Sequence, residues 1–323
     1  MEKTFEYDDV LIRPRCGDVS SRDDVDISVT LPNGIILKFP LIASPMVGVV
    51  DGAFAHQLSL LGGMAILHRF YPSKSALKAD IGTHLTADDI FGISLKIGDT
   101  SYQEYLDYSP TILLVDTANG YTKKLLEYCE EVANYIANSG MNNIMLMAGN
   151  VVSKAGCDSL ANAGCSIIRV GIGNGSPCST RNQTGVGIPS ITAIQDCNSG
   201  FRQYMIVADG GIKNSGDFVK SIVAGADAGM SGRLYAECYE APNEGILYGM
   251  ASRTHMENTK SEIKSVEGFD IQITKKQPLA QFVREFGYGI KSAGTYLDSR
   301  TLEQMFLYGE FIEVTSSAIK KGV

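Results

Sequence analysis

Eight times along this chain a short apolar run breaks off in small or polar residues and gives way to a longer stretch with helical spacing. The runs are FPLIASPM (39–46), GMAILHRF (63–70), IFGISLKIG (90–98), TILLVDTANG (111–120), NIMLMAGNV (143–151), SIIRVGIG (166–173), YMIVADGG (204–211) and ADAGMSG (226–232). Continuous rather than alternating apolar residues mark strands covered on both faces. Intervening stretches such as 53–62, 123–140 and 214–225 carry helical periodicity and end in Gly, as many helix C-termini do. Strand and helix alternating eight times predict an α/β fold of the closed parallel (β/α)8 type, a TIM barrel; an open doubly wound sheet is the alternative. Its length of 323 residues suits one barrel as well as two ordinary domains, and the unbroken alternation predicts a single domain over 1–323.

Charge and composition narrow the class further. The formal net charge of −8, with no local basic run, speaks against a nucleic-acid partner. No apolar segment approaches the roughly 20 residues that cross a bilayer. The opening MEKTFEYDDV is acidic and lacks the apolar core of a signal peptide, so no membrane association and a cytoplasmic location are expected. The seven cysteines are odd in number and form neither a CxxC pair nor a zinc-type Cys/His spacing. Neither a disulfide framework nor a structural metal is expected.

In a barrel of this type, active sites sit at the C-terminal ends of the strands. Those ends carry Ser44, His68, Asp116, Gly149 with Asn150, the loop GIGNGSPCSTRNQTGVG (171–187), Asp209 and Gly232. Within the loop, Cys178 reads either as a nucleophile with Ser179 and Thr180 as relay hydroxyls, or as an ordinary free thiol. Behind the seventh and eighth runs, glycines and backbone amides offer a phosphate site, and the Asp209 carboxylate suits a ribose diol. An N-capping Asp in a tight turn is the other reading of Asp209, and equally of Asp116, whose diol would belong to a second nucleotide. No GxGxxG follows a strand, so any dinucleotide binds on barrel loops. The four histidines lack the spacing of a metal site or triad and read as structural. Glu267 lies in the charged stretch KSEIKSVEGFD, which reads as part of a mobile flap around 251–277.

Together these motifs resemble the family of IMP dehydrogenase and GMP reductase, nearly end to end. The most specific element is the loop 171–187, similar to the family form GIGxGSxCxTRxxxGVG. DDVLIRPR (8–15), ASPM (43–46), AGNVV (148–152) and the ADGGI…SGD…AGAD…M…G series over the seventh and eighth runs accompany it. Within the family the chain looks most like GMP reductase: VDTANGYT and LYGMAS are similar to the reductase forms, and the flap spacing from VEG to QPL matches. So does the tail IKSAGTYLDSRTLEQM…FIEV. No Arg-Tyr dipeptide, which serves water activation in the dehydrogenases, occurs in the chain, and the stretch between the second and third runs is too short for their tandem regulatory insert.

The resemblance implies an NADPH-dependent reductive deamination of GMP to IMP and ammonia, through a covalent bond to Cys178, with Thr180 and Glu267 as its other catalytic residues. It places the nucleotide on Ser176, Asp209, Gly211, Gly232, Arg233, Tyr248, Gly249 and Met250. It places the cofactor on Asp116, Thr117, Ala118, Asn150, Ser252 and Lys264. A homotetramer is implied, and so is an optional monovalent cation such as K+, which family dehydrogenases bind through loop carbonyls that correspond to Gly173, Gly175 and Cys178. Four positions depart from the family pattern: Val47 replaces Asp, Arg233 replaces Gly or Ser, Asn174 replaces a common Pro, and Pro177 replaces a β-branched residue. Arg233 can either strengthen phosphate binding or fill the cup that holds it. The other readings are an IMP dehydrogenase using NAD, and an inactive nucleotide-binding regulatory protein.

Overall fold

A computed structural model describes residues 3–141, 143–176, 179–249, 252 and 268–314. Each of the eight apolar runs contributes one strand: β1 (Leu41–Ala43), β2 (Met64–Leu67), β3 (Phe91–Leu95), β4 (Ile112–Asp116), β5 (Met145–Val151), β6 (Ile167–Val170), β7 (Met205–Asp209) and β8 (Ala228–Ser231). All neighbours are parallel, and β8 pairs with β1 to close the sheet. The architecture is the (β/α)8 TIM barrel, and the open-sheet alternative falls.

Helices α1 (Gly52–Leu60), α2 (Lys74–His84), α3 (Lys123–Ser139), α4 (Lys154–Asn162), α5 (Ser190–Cys197), α6 (Ser215–Ala224), α7 (Leu279–Tyr296) and α8 (Leu302–Tyr308) are the longest of those joined to the strands. Their ends follow the local chemistry. Asp51, Thr122, Ser153 and Asn214 cap α1, α3, α4 and α6 by accepting a backbone N–H two or three residues into the helix. Gly140 and Gly225 stop α3 and α6 in the left-handed region, at φ of 77° and 114°.

The apolar runs are continuous because both faces are buried. Residues of one parity, including Ile42, Ile66, Leu114, Met147, Ile167 and Val207, fill the barrel. Those of the other parity, such as Leu41, Ala65, Leu113 and Ile206, pack outward with the helices. A small antiparallel hairpin, Val29–Thr30 with Ile36–Leu37, closes the floor and delivers Leu31 and Leu37 to the interior cluster. At the periphery Val10–Ile12 pairs antiparallel with Phe311–Glu313, bringing the two described ends together.

Candidate active site

The inward parity of the strands runs on into the mouth. Asp116 follows Leu114 by two residues, Arg169 follows Ile167, and Asp209 follows Val207, so the strand period of two puts all three on the inner face, in the top layer. There the Arg169 guanidinium donates through Nη1 to Asp116 at 2.6 Å and through Nη2 to Asp209 at 2.7 Å. A charged side chain only 8% exposed requires such partners. Burial works against the Arg169 charge, but the carboxylates of Asp209 and Asp116 outweigh it and raise its pKa. Neither aspartate caps a helix: Thr122 and Asn214 hold those positions. The capping alternatives therefore fall.

Asn150 joins this group by an irregularity. The β5–β6 register shifts between Gly149 and Val151, and Asn150, in the gap, donates its amide to the Gly171 carbonyl at 2.6 Å and to Asp209 Oδ2 at 2.8 Å. Asp209 Oδ2 thus serves both Arg169 and Asn150, while Oδ1 has no partner among the described residues.

Arg69 is a second cation of the mouth. Its Nη2 lies 3.8 Å from Asp116, its guanidinium sits 4.2 Å above the Phe70 ring, and burial lowers its pKa, with Asp116 opposing and Arg169 reinforcing the shift. The Nε atoms of Arg69 and Arg169 are both buried without a hydrogen-bond partner among the described residues. The neighbouring His68, a strand-end candidate, is instead stacked on Tyr71 with ring centroids 4.5 Å apart, and its Nδ1 accepts from the Phe70 backbone.

The base of the glycine-rich loop is anchored. Arg181 donates to the carbonyls of Ile172 at 3.3 Å and Ile188 at 2.6 Å, which tie the loop's two ends, and also binds the side chains of Asn174 and Glu6. Asn174 passes the contact on by donating to Ser190 Oγ at 2.8 Å, which gives this departure from the family pattern a structural role. Two glycines let the loop meet the β7 turn. A Cβ on Gly171 (φ 143°) would lie 2.2 Å from the Asp209 carbonyl oxygen, and one on Gly210 (φ 90°) 3.0 Å from the Gly175 nitrogen.

These elements surround a cavity of about 330 Å³. Of the expected nucleotide residues, Ser176, Asp209, Gly211, Gly232, Arg233 and Gly249 line it. Of the expected cofactor residues, Asp116, Thr117, Ala118 and Asn150 do, as do the catalytic candidate Thr180 and the cation candidates Gly173 and Gly175. Tyr248 ends the short strand Ile246–Tyr248 and does not line the cavity, nor does Ser252, which is buried with its N–H on the Gly249 carbonyl at 2.8 Å. Cys178, Met250, Lys264 and Glu267 lie outside the described residues, as does most of the expected flap. Arg233 starts a four-residue helix, half exposed, with Nε 3.5 Å from Glu237; Glu237 also takes Lys276 Nζ at 2.7 Å. Arg69, Arg169 and Arg181 were not among the expected site residues. A charged residue inside an otherwise apolar strand, as in SIIRV, was the available signal for Arg169.

Comparison with known proteins gives a consistent picture. The family model described as IMP dehydrogenase / GMP reductase domain matches residues 4–80 and 99–323. A GMP reductase from Oceanobacillus iheyensis is 30% identical over 320 residues, covering 94% of each chain. An inosine-5'-monophosphate dehydrogenase from Borreliella burgdorferi is 26% identical over 396 aligned positions, covering 99% of this chain and 96% of its own. Another from Aquifex aeolicus is 35% identical over 224 residues, covering 63% of this chain and 45% of its own.

Proposed function

Because this chain belongs to the IMP dehydrogenase / GMP reductase family, we propose that it reductively deaminates a guanine nucleoside monophosphate, GMP itself, to the inosine nucleotide and ammonia. The observation that carries this reading is the arginine-bridged carboxylate pair at the mouth; in this reading Asp209 serves the ribose of the nucleotide and Asp116 that of the cofactor. Asp209 keeps Oδ1 as an acceptor for the nucleotide hydroxyls, while Arg169 and Asn150 fix its other oxygen. Ser176 and the backbone of Gly211 and Gly232, on the same cavity, suit the 5'-phosphate.

The chemistry assigned to the chain is a thiolate addition. Cys178 Sγ adds to C2 of the guanine ring; the exocyclic amine takes a proton with help from Thr180 and Glu267 and leaves as ammonia, since an unprotonated amine is a poor leaving group. NADPH, when bound, would supply a hydride for C2; the part of this chain would be that Cys178 Sγ leaves as a thiolate with the electron pair of the C–S bond and frees IMP. Asp116, Thr117, Ala118 and Asn150, which line the cavity, suit such a dinucleotide by offering a carboxylate, a hydroxyl and an amide. Arg69 adds a buried Nε that lacks an acceptor among the described residues. Lys264 and Ser252 complete the cofactor assignment, and Tyr248 and Met250 the nucleotide assignment, by resemblance to the family. The same resemblance supports a homotetramer and a K+ at Gly173, Gly175 and Cys178.

Anaerobic incubation of the purified protein with GMP and NADPH tests the reading. Ammonia and IMP that form together and vanish in Cys178→Ala are the expected result. XMP from IMP and NAD+ would instead make the chain a dehydrogenase, a reading favoured by the relatives of that name. Nucleotide binding with silence in both assays would leave a binding protein.

A further inference from the structure

A second groove, of about 490 Å³, lies at the end of the barrel opposite the mouth, between α7 and the chain around the floor hairpin. Its charges are distinctive. Arg284 and Lys291 face it from α7, and Lys38 faces it from the hairpin side. Seven residues apart, Arg284 and Lys291 lie two turns along one helix face and about 10 Å from each other along the axis. None of the three cations pairs with a described residue.

One carboxylate, Asp26, also lines the groove; its Oδ1 accepts from the Ser28 backbone at 2.8 Å. Three cations against one anion leave the groove positive on a chain whose net charge is −8. The floor between them is apolar, with Ile36 54% and Tyr288 46% exposed. Unpaired cations converging on a concave, partly apolar surface of this size are the chemistry that selects a small polyanion with an organic part.

We propose that this groove binds a small molecule carrying two or more phosphate groups, held by Lys38, Arg284 and Lys291, with its organic portion against Tyr288 and Ile36. The separation of Arg284 from Lys291 favours a chain of linked phosphates over a single one. The site is independent of the catalytic reading, because it shares no residue with the mouth.

Calorimetric titration of the full chain at low salt with inorganic tripolyphosphate, and separately with ATP, tests the proposal. Saturable binding with Kd below about 1 mM is expected, weakened about tenfold or more in Arg284→Glu/Lys291→Glu and again in Lys38→Glu, and unchanged in the mouth variant Asp209→Asn. ATP binding more tightly than tripolyphosphate, with that advantage lost in Tyr288→Ala, supports the organic contact; equal affinities overturn that contact. No saturable heat, or undiminished affinity in charge-reversed proteins that melt like the parent, overturns the site.

Discussion

Arg169 holds Asp209 at 2.7 Å, and with the other arm of the same guanidinium it holds Asp116 at 2.6 Å. Both carboxylates lie in the top layer of the barrel, so removing the cation leaves two anions facing one another with little water. Arg169→Met should cost about 3–5 kcal/mol of stability, the scale of a buried pair broken on one side. Arg169→Lys keeps the charge but cannot fork to two carboxylates, and should recover stability more fully than activity. Thermal melting beside steady-state kinetics on both variants separates the two effects; equal losses in both readouts would argue that Arg169 is a packing residue alone.

How much of this was legible in the sequence follows from what each signal depends on. The strands were readable because a barrel buries both faces, and runs such as ILLVD and YMIVAD admit few other folds. Asp116 and Asp209 were readable as strand-end polar residues, though not as partners, because their connection runs through a residue of β6. Arg169 sits inside an apolar run, and only the inward parity of Ile167 marks its direction. Parity misleads at the second strand: it points to His68, yet β2 ends at Leu67 and the turn buries His68 by Tyr71 while Arg69 takes the mouth. The glycines of 171–187 suggest mobility when read alone; Gly171 instead allows close packing with the β7 turn, where Gly210 does the same from the other side, and that packing depends on contacts between distant segments.

That packing gives a sharp expectation for Gly171→Ala. The added methyl would meet the Asp209 carbonyl at 2.2 Å, and φ of 143° disfavours any side chain. Loop and turn must part, moving Asp209 away from Arg169. Nucleotide affinity should fall at least tenfold with a loss of roughly 1–3 kcal/mol in stability. Gly140→Ala, where a Cβ has open space but φ is 77°, provides the control for backbone strain alone.

Arg181 closes the loop base from Ile172 to Ile188. Arg181→Ala should leave melting within a few degrees of the parent, since the clamp is part-exposed, but lower kcat more than it raises KM by loosening the segment that carries Cys178 and Thr180. Limited proteolysis within 171–187 should accelerate in the variant. Unaltered cleavage and kcat would show that the loop holds its shape without the clamp.

Acid stability should depend on Asp89. Burial acts to raise its pKa, but the Thr86 backbone N–H, the His56 ring at 3.0 Å and the Thr86 hydroxyl more than reverse this, leaving it below the ordinary carboxylate value. A carboxylate with a lowered folded pKa contributes stability that is complete above its unfolded pKa and is lost as pH falls through the folded one. Asp89→Asn should therefore melt below the parent at neutral pH, with the gap narrowing as pH drops below about 4. A gap that stays constant through that range would remove Asp89 from the acid limb.

Arg233 lines the cavity at the end proposed for the phosphate. Its guanidinium rests 3.5 Å from Glu237, whose carboxylate is already engaged by Lys276 at 2.7 Å, so the charge that holds Arg233 in place is shared. Half exposed and on the cavity wall beside Gly232, it can turn to a phosphate at little cost. Arg233→Ser should raise KM for the nucleotide about tenfold while kcat stays within about twofold, the signature of an interaction equally strong in ground and transition states. Glu237→Gln, which releases the arginine, should shift KM the opposite way. A fall in KM for Arg233→Ser would mean that the side chain obstructs the cup. Because a charge-assisted contact to phosphate weakens with salt, the KM difference between parent and Arg233→Ser should also shrink as ionic strength rises.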